Sequence, residues 1–150
     1  MTRSAPETAE LGERLGRVAQ AGDVVALWGD LGAGKTVLAK GFGRGLGVPG
    51  TVSSPSFILM AEHEGRLRLF HLDLYRLADA VEATASGLLD DRQAEGVTLI
   101  EWPDRLGRAL PAERLDVRIA GTGDEPRRLS LAGHGNRLER YLTAAAGAAT

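Results

Sequence analysis

The chain has no cysteine among its 150 residues. It therefore contains no disulfide bond, no thiolate nucleophile and no zinc site with cysteine ligands. Its three histidines, His63, His71 and His134, lie too far apart in the sequence to form a local metal-binding motif. The sequence also lacks a signal-peptide core and any apolar run close to the roughly 20 residues that span a bilayer. We therefore expect a soluble, cytoplasmic protein that does not contact a membrane.

Charge and length narrow the class of protein further. The 18 basic and 20 acidic side chains leave a formal net charge of −2, so bulk positive charge does not hold RNA or an anionic lipid surface. Contact with RNA would need a local patch or a partner protein. A length of 150 residues suffices for one sizeable core and is too short for two. The sequence predicts one domain over residues 1–150.

Glycine, in contrast, is abundant, and one glycine-rich segment carries a recognisable motif. Residues 29–36 fit the P-loop pattern Gly-x-x-x-x-Gly-Lys-Thr, with an apolar strand predicted over residues 24–28 and a helix after the loop. In such a loop the backbone N–H groups and the positive end of the helix converge on phosphate oxygens. Lys35 would reach the β- and γ-phosphates, and the Thr36 hydroxyl would ligate Mg²⁺.

Three more glycines fall inside the predicted P-loop helix: Gly41, Gly43 and Gly45. Glycine within a helix costs about 1 kcal/mol relative to alanine. Two hypotheses account for them. They allow close packing against a neighbouring element, or they leave a readily loosened helix end behind the nucleotide.

The remaining elements are predicted from capping, periodicity and turn residues. They are an amphipathic helix from Ser4 towards Gly22, a hairpin of strands over 57–61 and 67–74, a partly helical acidic region over 78–95, a strand over 97–100, late strands over 115–120 and 128–132, and a closing helix over 137–146.

A P-loop needs an acidic side chain on a neighbouring strand to hold or orient Mg²⁺, and two candidates compete. Glu101 directly follows the apolar residues 97–100, which is the Walker-B pattern with glutamate in place of aspartate. Asp73 lies in an equally good strand over residues 69–75. The pattern leaves open which carboxylate touches the metal.

Hydroxyl side chains are frequent in the first long loop after the P-loop helix, where Thr51, Ser53, Ser54 and Ser56 occur. P-loop proteins place a segment that senses the γ-phosphate in this loop. Each of these hydroxyls is therefore a candidate phosphate contact, or an ordinary turn residue.

The nucleotide and the reaction class each have alternatives. Residues 104–107 fit the Asp-x-x-Gly of GTPases, but no Asn/Thr-Lys-x-Asp guanine motif occurs, which favours adenine. A small-molecule kinase would need an arginine-rich lid. Residues 105–118 are rich in arginine and could be mistaken for such a lid. A third possibility is an interaction module that uses nucleotide binding more than hydrolysis.

Four blocks, taken together, resemble the bacterial TsaE (YjeE) family of small P-loop ATPases. They are the P-loop at 29–36, Ser-Pro-Ser-Phe at 54–57, His-Leu-Asp-Leu-Tyr-Arg-Leu at 71–77 and Glu-Trp at 101–102, with Thr8-x-x-Leu-Gly before them. They follow the family's order and spacing over residues 8–102. The resemblance implies an α/β, single-domain P-loop NTPase fold with a mixed, mostly parallel central sheet flanked by helices.

The resemblance also implies roles for individual residues. The ATP phosphates would be bound by Gly32, Ala33, Gly34, Lys35 and Thr36. Thr36 with Glu101 would ligate Mg²⁺, and Asp73 would be the catalytic or water-orienting carboxylate. The Thr8 region would approach the adenine, Ser54 would lie in a switch loop, and Arg127 or Arg128 would reach the nucleotide.

For partners, the resemblance implies the TsaB and TsaD proteins. Their complex forms N6-threonylcarbamoyladenosine at position 37 of tRNAs that read codons beginning with A. In that family TsaE hydrolyses ATP to support turnover and does not itself transfer the carbamoyl group. We expect this chain to act on tRNA indirectly, through the complex; the sequence leaves open whether it also touches tRNA directly. We expect hydrolysis to be slow without these partners.

Overall fold

A six-stranded sheet forms the centre of the computed structural model, which describes residues 4–29, 34–49, 60–74, 94–104, 106, 110–121, 126–135 and 138–146. In chain order the elements are α1 (Ala5–Arg17), β1 (Val24–Trp28), α2 (Lys35–Gly45), β2 (Met60–His63), β3 (Leu69–Asp73), β4 (Val97–Glu101), β5 (Arg114–Ala120), β6 (Arg128–His134) and α3 (Glu139–Ala146). Among the described ranges, no helix is long and apolar enough to cross a membrane.

The strands lie in the order β2-β3-β4-β1-β5-β6. The four inner strands are parallel, and the two edge strands, β2 and β6, pair antiparallel with their neighbours. The predicted mixed, mostly parallel α/β fold is therefore confirmed. Because parallel strands share one direction, the carboxyl ends of β1, β3 and β4 meet at the same edge of the sheet.

The predicted elements occur where the chain is described, with shifted ends. Ser4 caps α1, and its Oγ accepts a hydrogen bond from the Glu7 N–H at 3.3 Å. This helix ends at Arg17, before the predicted end at Gly22, because the chain turns there to enter β1. The hairpin of β2 and β3 is confirmed from Met60 onward. Residues 57–59 and the region over 78–93 lie outside the described residues.

The core is divided by the sheet into two apolar clusters. The larger cluster joins α1, α2 and α3 to one face, and its largest fully buried side chains include Phe42, Leu15 and Tyr141. The smaller cluster lies on the other face: Phe70, Leu72, Leu74, Ile100 and Leu106. Side chains alternate between the two faces along each strand, which places Leu69 and His71 with the helices.

Helices α1 and α2 pack closely because each has glycines where it meets the backbone of the other helix. A Cβ atom on Gly41 would overlap the backbone carbonyl oxygen of Ala9, and one on Gly45 would overlap that of Glu13. Gly12 and Gly16 of α1 approach the α2 backbone equally closely. Of the two hypotheses for the helix glycines, close packing therefore applies to Gly41 and Gly45.

We expect Gly41→Ala to destabilise the protein by about 1–3 kcal/mol, the usual cost of overpacking, although alanine is the better helix former. The added methyl group meets the backbone of Ala9 and cannot rotate away from it. Urea unfolding measures the difference. Lys40→Ala is the matched control, because Lys40 is the exposed neighbour in the same helix. A Gly41→Ala protein as stable as the control would contradict this account of the interface.

Asp23, just before β1, anchors the C-terminal helix. Its buried Oδ2 accepts hydrogen bonds from the Gln20 N–H at 2.8 Å and the Tyr141 hydroxyl at 2.5 Å, and it forms an ion pair with Arg140. Burial and the bond to Asp23 raise the pKa of Tyr141, so its hydroxyl stays a donor. This contact fixes α3 against the amino end of the central strand.

Asp116 of β5 is a second buried carboxylate, on the opposite face of the sheet. It accepts hydrogen bonds from Trp28 Nε1 at 2.8 Å, Arg114 Nε at 2.9 Å and His134 Nε2 at 2.9 Å. Burial alone would raise the pKa of Asp116, but these donors and the Arg114 charge outweigh it and hold the pKa below its usual value. His134, 49% exposed, forms the outer side of this cluster.

Candidate functional site

The P-loop motif lies between β1 and α2, as predicted. Residues 30–33 of the loop are outside the described residues, so Gly32 and Ala33 remain predictions, as does Ser54 further along the chain. Gly34 precedes the helix with φ of 106°, a left-handed conformation that glycine adopts without strain. The first turn of α2 carries no acidic side chain. The partial positive charge of this helix end is therefore available to an anion.

Lys35 is the first residue of α2 and is 6% exposed. Its Nζ donates a hydrogen bond to the carbonyl oxygen of Gly29 at 2.6 Å. The same atom lies 3.6 Å from the centre of the Trp102 ring, a distance typical of a cation–π contact. The ammonium group is thus held at the loop, between the end of β1 and the residue that follows β4.

Trp102 has an unusual backbone conformation. Its φ is +59°, which makes it the one non-glycine residue with positive φ in the described part of the chain. Residues held in this region cost of order 1–3 kcal/mol and cluster at functional sites. Pro103 and Glu101 flank the strained residue, and the ring also packs against the smaller apolar cluster. The ring of Trp102 therefore contacts both the apolar cluster and the Lys35 ammonium group.

The two candidate carboxylates lie side by side. Asp73 and Glu101 are register partners at the ends of β3 and β4, and Glu101 is in turn the register partner of Leu27 in β1. Glu101 is therefore one strand from the P-loop and Asp73 is two strands away. Glu101 is 3% exposed, whereas Asp73 is only partly buried.

The sequence patterns assign no role to His71, which contacts Glu101. Its Nε2 lies 2.6 Å from Glu101 Oε2, and the ring is fully buried. The signal was present in the spacing, since residues two apart in a strand share a face and His71 precedes Asp73 by two. His63 of β2 is a nearby second histidine; burial, together with repulsion from His71, lowers the pKa of His63.

Thr8 and Arg127 come from distant parts of the chain to the same loop. A Cβ atom built on Gly34 would lie 3.9 Å from Thr8 Cγ2 and 4.0 Å from Arg127 Nε. Thr8 is buried, and its hydroxyl donates to the Ser4 carbonyl oxygen at 3.2 Å. Between the two arginines named from the sequence, Arg127 is therefore the one at the loop, while Arg128 is an exposed residue paired with Ala120.

The candidate site thus gathers seven predicted residues at one edge of the sheet: Thr8, Gly34, Lys35, Thr36, Asp73, Glu101 and Arg127. Over the described ranges, no three histidine, aspartate or glutamate side chains converge to form a protein-only metal site. Magnesium in nucleotide sites is typically held by phosphate oxygens and water together with one or two protein oxygens.

Comparison with known proteins identifies close relatives. The model of the family described as "Threonylcarbamoyl adenosine biosynthesis protein TsaE" matches residues 2–129. The "tRNA threonylcarbamoyladenosine biosynthesis protein TsaE" of Bacillus subtilis is 41% identical over 134 residues, which cover 89% of this chain and 84% of that protein. The protein of the same name from Treponema pallidum is 38% identical over 132 residues, covering 88% and 98% of the two chains.

A solved structure is also similar. The crystal structure of Bacillus subtilis YdiB superposes with a TM-score of 0.78 at 34% sequence identity. The match covers 99% of this chain and 93% of that one. The agreement therefore extends over the whole sheet and its helices.

Proposed function

The chain belongs to the TsaE family of threonylcarbamoyl adenosine biosynthesis proteins, and from this premise we propose that it is a Mg²⁺-dependent ATPase acting in tRNA modification. Its hydrolysis of ATP would support a complex of TsaB and TsaD that forms N6-threonylcarbamoyladenosine at position 37 of tRNAs reading codons that begin with A. A net charge of −2 agrees with contact to tRNA through that complex. Since its partners act on tRNA, we expect the protein in the cytoplasm.

The observation that carries the ATPase proposal is the position of Lys35 relative to the two carboxylates. The ammonium group lies at the amino end of α2, beside the adjacent strand ends that bear Glu101 and Asp73. Phosphoryl transfer needs little covalent chemistry from a protein, because positioning and charge stabilisation supply most of the acceleration. A lysine, a helix amino end and two carboxylates supply both.

The oxygen donors present at this edge fit magnesium. The Thr36 hydroxyl and the Glu101 carboxylate are hard ligands of the kind Mg²⁺ prefers. When bound, the ion would neutralise charge on the β- and γ-phosphates. Thr36 and Glu101 would hold it, Lys35 would contact the transferred phosphoryl group, and Asp73 would orient the attacking water and accept its proton.

Thr8 and Arg127 flank Gly34 on the side away from the carboxylates' strands, since Thr8 lies in α1 and Arg127 directly precedes β6. We assign them to the nucleotide itself. Arg127 supplies a planar set of donors for a phosphate or ribose oxygen. Thr8 contributes to the wall near the base.

Release of phosphate from ATP, measured without any added acceptor, tests the proposal. We expect slow release by the isolated protein, its loss on chelation of Mg²⁺, and a clear increase when TsaB and TsaD are added. Phosphate transfer that requires a small-molecule acceptor would indicate a kinase instead. Nucleotide binding with full support of the complex by a variant unable to hydrolyse ATP would indicate an interaction module.

A further inference from the structure

We propose that His71 is a positioning residue that fixes the Glu101 carboxylate for the bound cation. The inference rests on the proposed function, because it assigns His71 to the metal half of the same site. His71 would not touch the metal or the nucleotide. It would act by fixing the direction in which Glu101 presents its oxygens.

The contact has the geometry of a strong hydrogen bond. His71 Nε2 and Glu101 Oε2 are 2.6 Å apart, and the side chains are 0% and 4% exposed. An ionised carboxylate only accepts hydrogen bonds, so the ring donates its Nε2–H. Both residues lie on adjacent inner parallel strands, where His71 pairs with Leu99 and Asp73 pairs with Glu101. The hydrogen bond therefore joins two rigid elements.

Solvent cannot replace this hydrogen bond. A glutamate side chain has three rotatable bonds, and a partly exposed one would be oriented by water in many ways. Here the environment is dry, since Leu69, Leu99 and Val97 in the same layer are buried. The fixed His71 donor then restricts the orientation of the carboxylate. In metal sites, partners that hydrogen-bond to a ligand typically change metal affinity 10- to 100-fold when mutated.

A purely structural role explains the ring less well. Within the described part of the chain, His71 Nδ1 is buried without a hydrogen-bond partner. Buried polar atoms are usually paired, and an unpaired one is unfavourable. An apolar side chain at this position would avoid that cost. The histidine is therefore explained by what its other nitrogen, Nε2, does for Glu101.

The experiment uses the full-length protein and a fluorescent ATP analogue, with free Mg²⁺ varied. His71→Asn moves the amide away from Glu101, whereas His71→Gln places an N–H donor near the position of Nε2. We expect His71→Asn to raise the Mg²⁺ concentration for half-maximal binding at least about 10-fold. Nucleotide affinity in EDTA should change less than about twofold, and His71→Gln should restore most of the Mg²⁺ response.

His134→Asn is the matched control, because it breaks the same type of hydrogen bond, to Asp116, on the opposite face of the sheet. It should leave the Mg²⁺ response at the wild-type level. Thermal unfolding of each variant shows that it is folded under assay conditions. If His71→Asn does not fold, His71→Met is compared with His71→Gln instead, because methionine has about the length of glutamine and carries no hydrogen-bond donor.

Two results overturn the inference and are distinct from failure of the proposed function. A His71→Asn protein with the wild-type Mg²⁺ requirement shows that the ring does not position the ligand. In the comparison of His71→Gln with His71→Met, the inference also fails if the two proteins have the same Mg²⁺ requirement. A wild-type protein that fails to bind the ATP analogue at all overturns the proposed function, and the inference with it.

Discussion

Replacing Lys35 by alanine is expected to weaken ATP binding about 100-fold. Hydrogen bonds to charged groups contribute roughly 1.5–3 kcal/mol, and each 1.4 kcal/mol is a factor of ten in affinity. Lys35 is 6% exposed, and its ammonium group is held by the Gly29 carbonyl oxygen and the Trp102 ring. Its charge is therefore poorly screened by water and acts strongly on a phosphate at the loop.

Calorimetric titration with ATP measures this loss directly. Lys40→Ala is the matched control, since Lys40 is the chain's other lysine, in the same helix, and is exposed. It has the same charge change without proximity to the loop. Equal ATP affinity of the Lys35→Ala and Lys40→Ala proteins would contradict the assignment of the P-loop.

The contact between Lys35 and Trp102 supplies an independent readout of ATP binding. The chain has two tryptophans, so Trp28→Phe leaves Trp102 as the single reporter. When ATP binds, we expect Lys35 to move from the ring towards the phosphates and the emission of Trp102 to change. The change should be absent from the Trp28→Phe/Lys35→Ala protein. An identical response in both proteins would show that Trp102 does not report on Lys35.

Replacing Asp73 by asparagine is expected to lower ATP turnover at least about 100-fold with little change in ATP affinity. Proton transfer by a positioned side chain contributes about 10²- to 10⁴-fold, and an amide orients water without accepting its proton. Asp73 lies two strands from the P-loop and is only partly buried, whereas Glu101 lies between them. This geometry separates a residue near the attacking water from one near the metal.

Glu101→Gln is the control variant for Asp73→Asn, because it removes the proposed metal ligand instead of the proposed base. It should raise the Mg²⁺ concentration needed for nucleotide binding, because it removes a charged ligand. Asp73→Asn should keep the wild-type Mg²⁺ dependence while phosphate release falls. If both variants lose Mg²⁺-dependent binding to the same extent, Asp73 belongs among the metal ligands rather than with the water.

Much of the fold follows from local signals. The capping pattern at Ser4, the apolar run of β1 and the start of α2 after Gly34 are each decided within a few residues, and each is found in the structure. The strand ending at Glu101 is of the same kind. Such signals depend on periodicity and turn chemistry, so they can be interpreted without knowledge of the partner elements.

The parts that escaped prediction depend on which elements pair. The sequence alone does not show which of Asp73 and Glu101 lies nearer the P-loop. The sheet order shows it, because β4 lies between β3 and β1. The choice between Arg127 and its neighbour required the pairing of β6 with β5. His71 acquired its role only from the register of β3 against β4. These are contacts between residues far apart in sequence, on which composition and periodicity carry no information.

The packing of α1 on α2 also has a consequence for how this protein can change over evolutionary time. At each crossing point the glycine faces backbone atoms of the other helix: Gly12 faces Leu38, Gly16 faces Phe42, Gly41 faces Ala9 and Gly45 faces Glu13. An enlarged residue there cannot be compensated by a smaller side chain opposite, because every residue has the same backbone. Larger residues can therefore replace these four glycines only if the helices move apart. Such a movement would also displace Thr8, because α1 positions Thr8 beside the loop. Spacing between the helices and the position of Thr8 beside the loop are consequently inherited together.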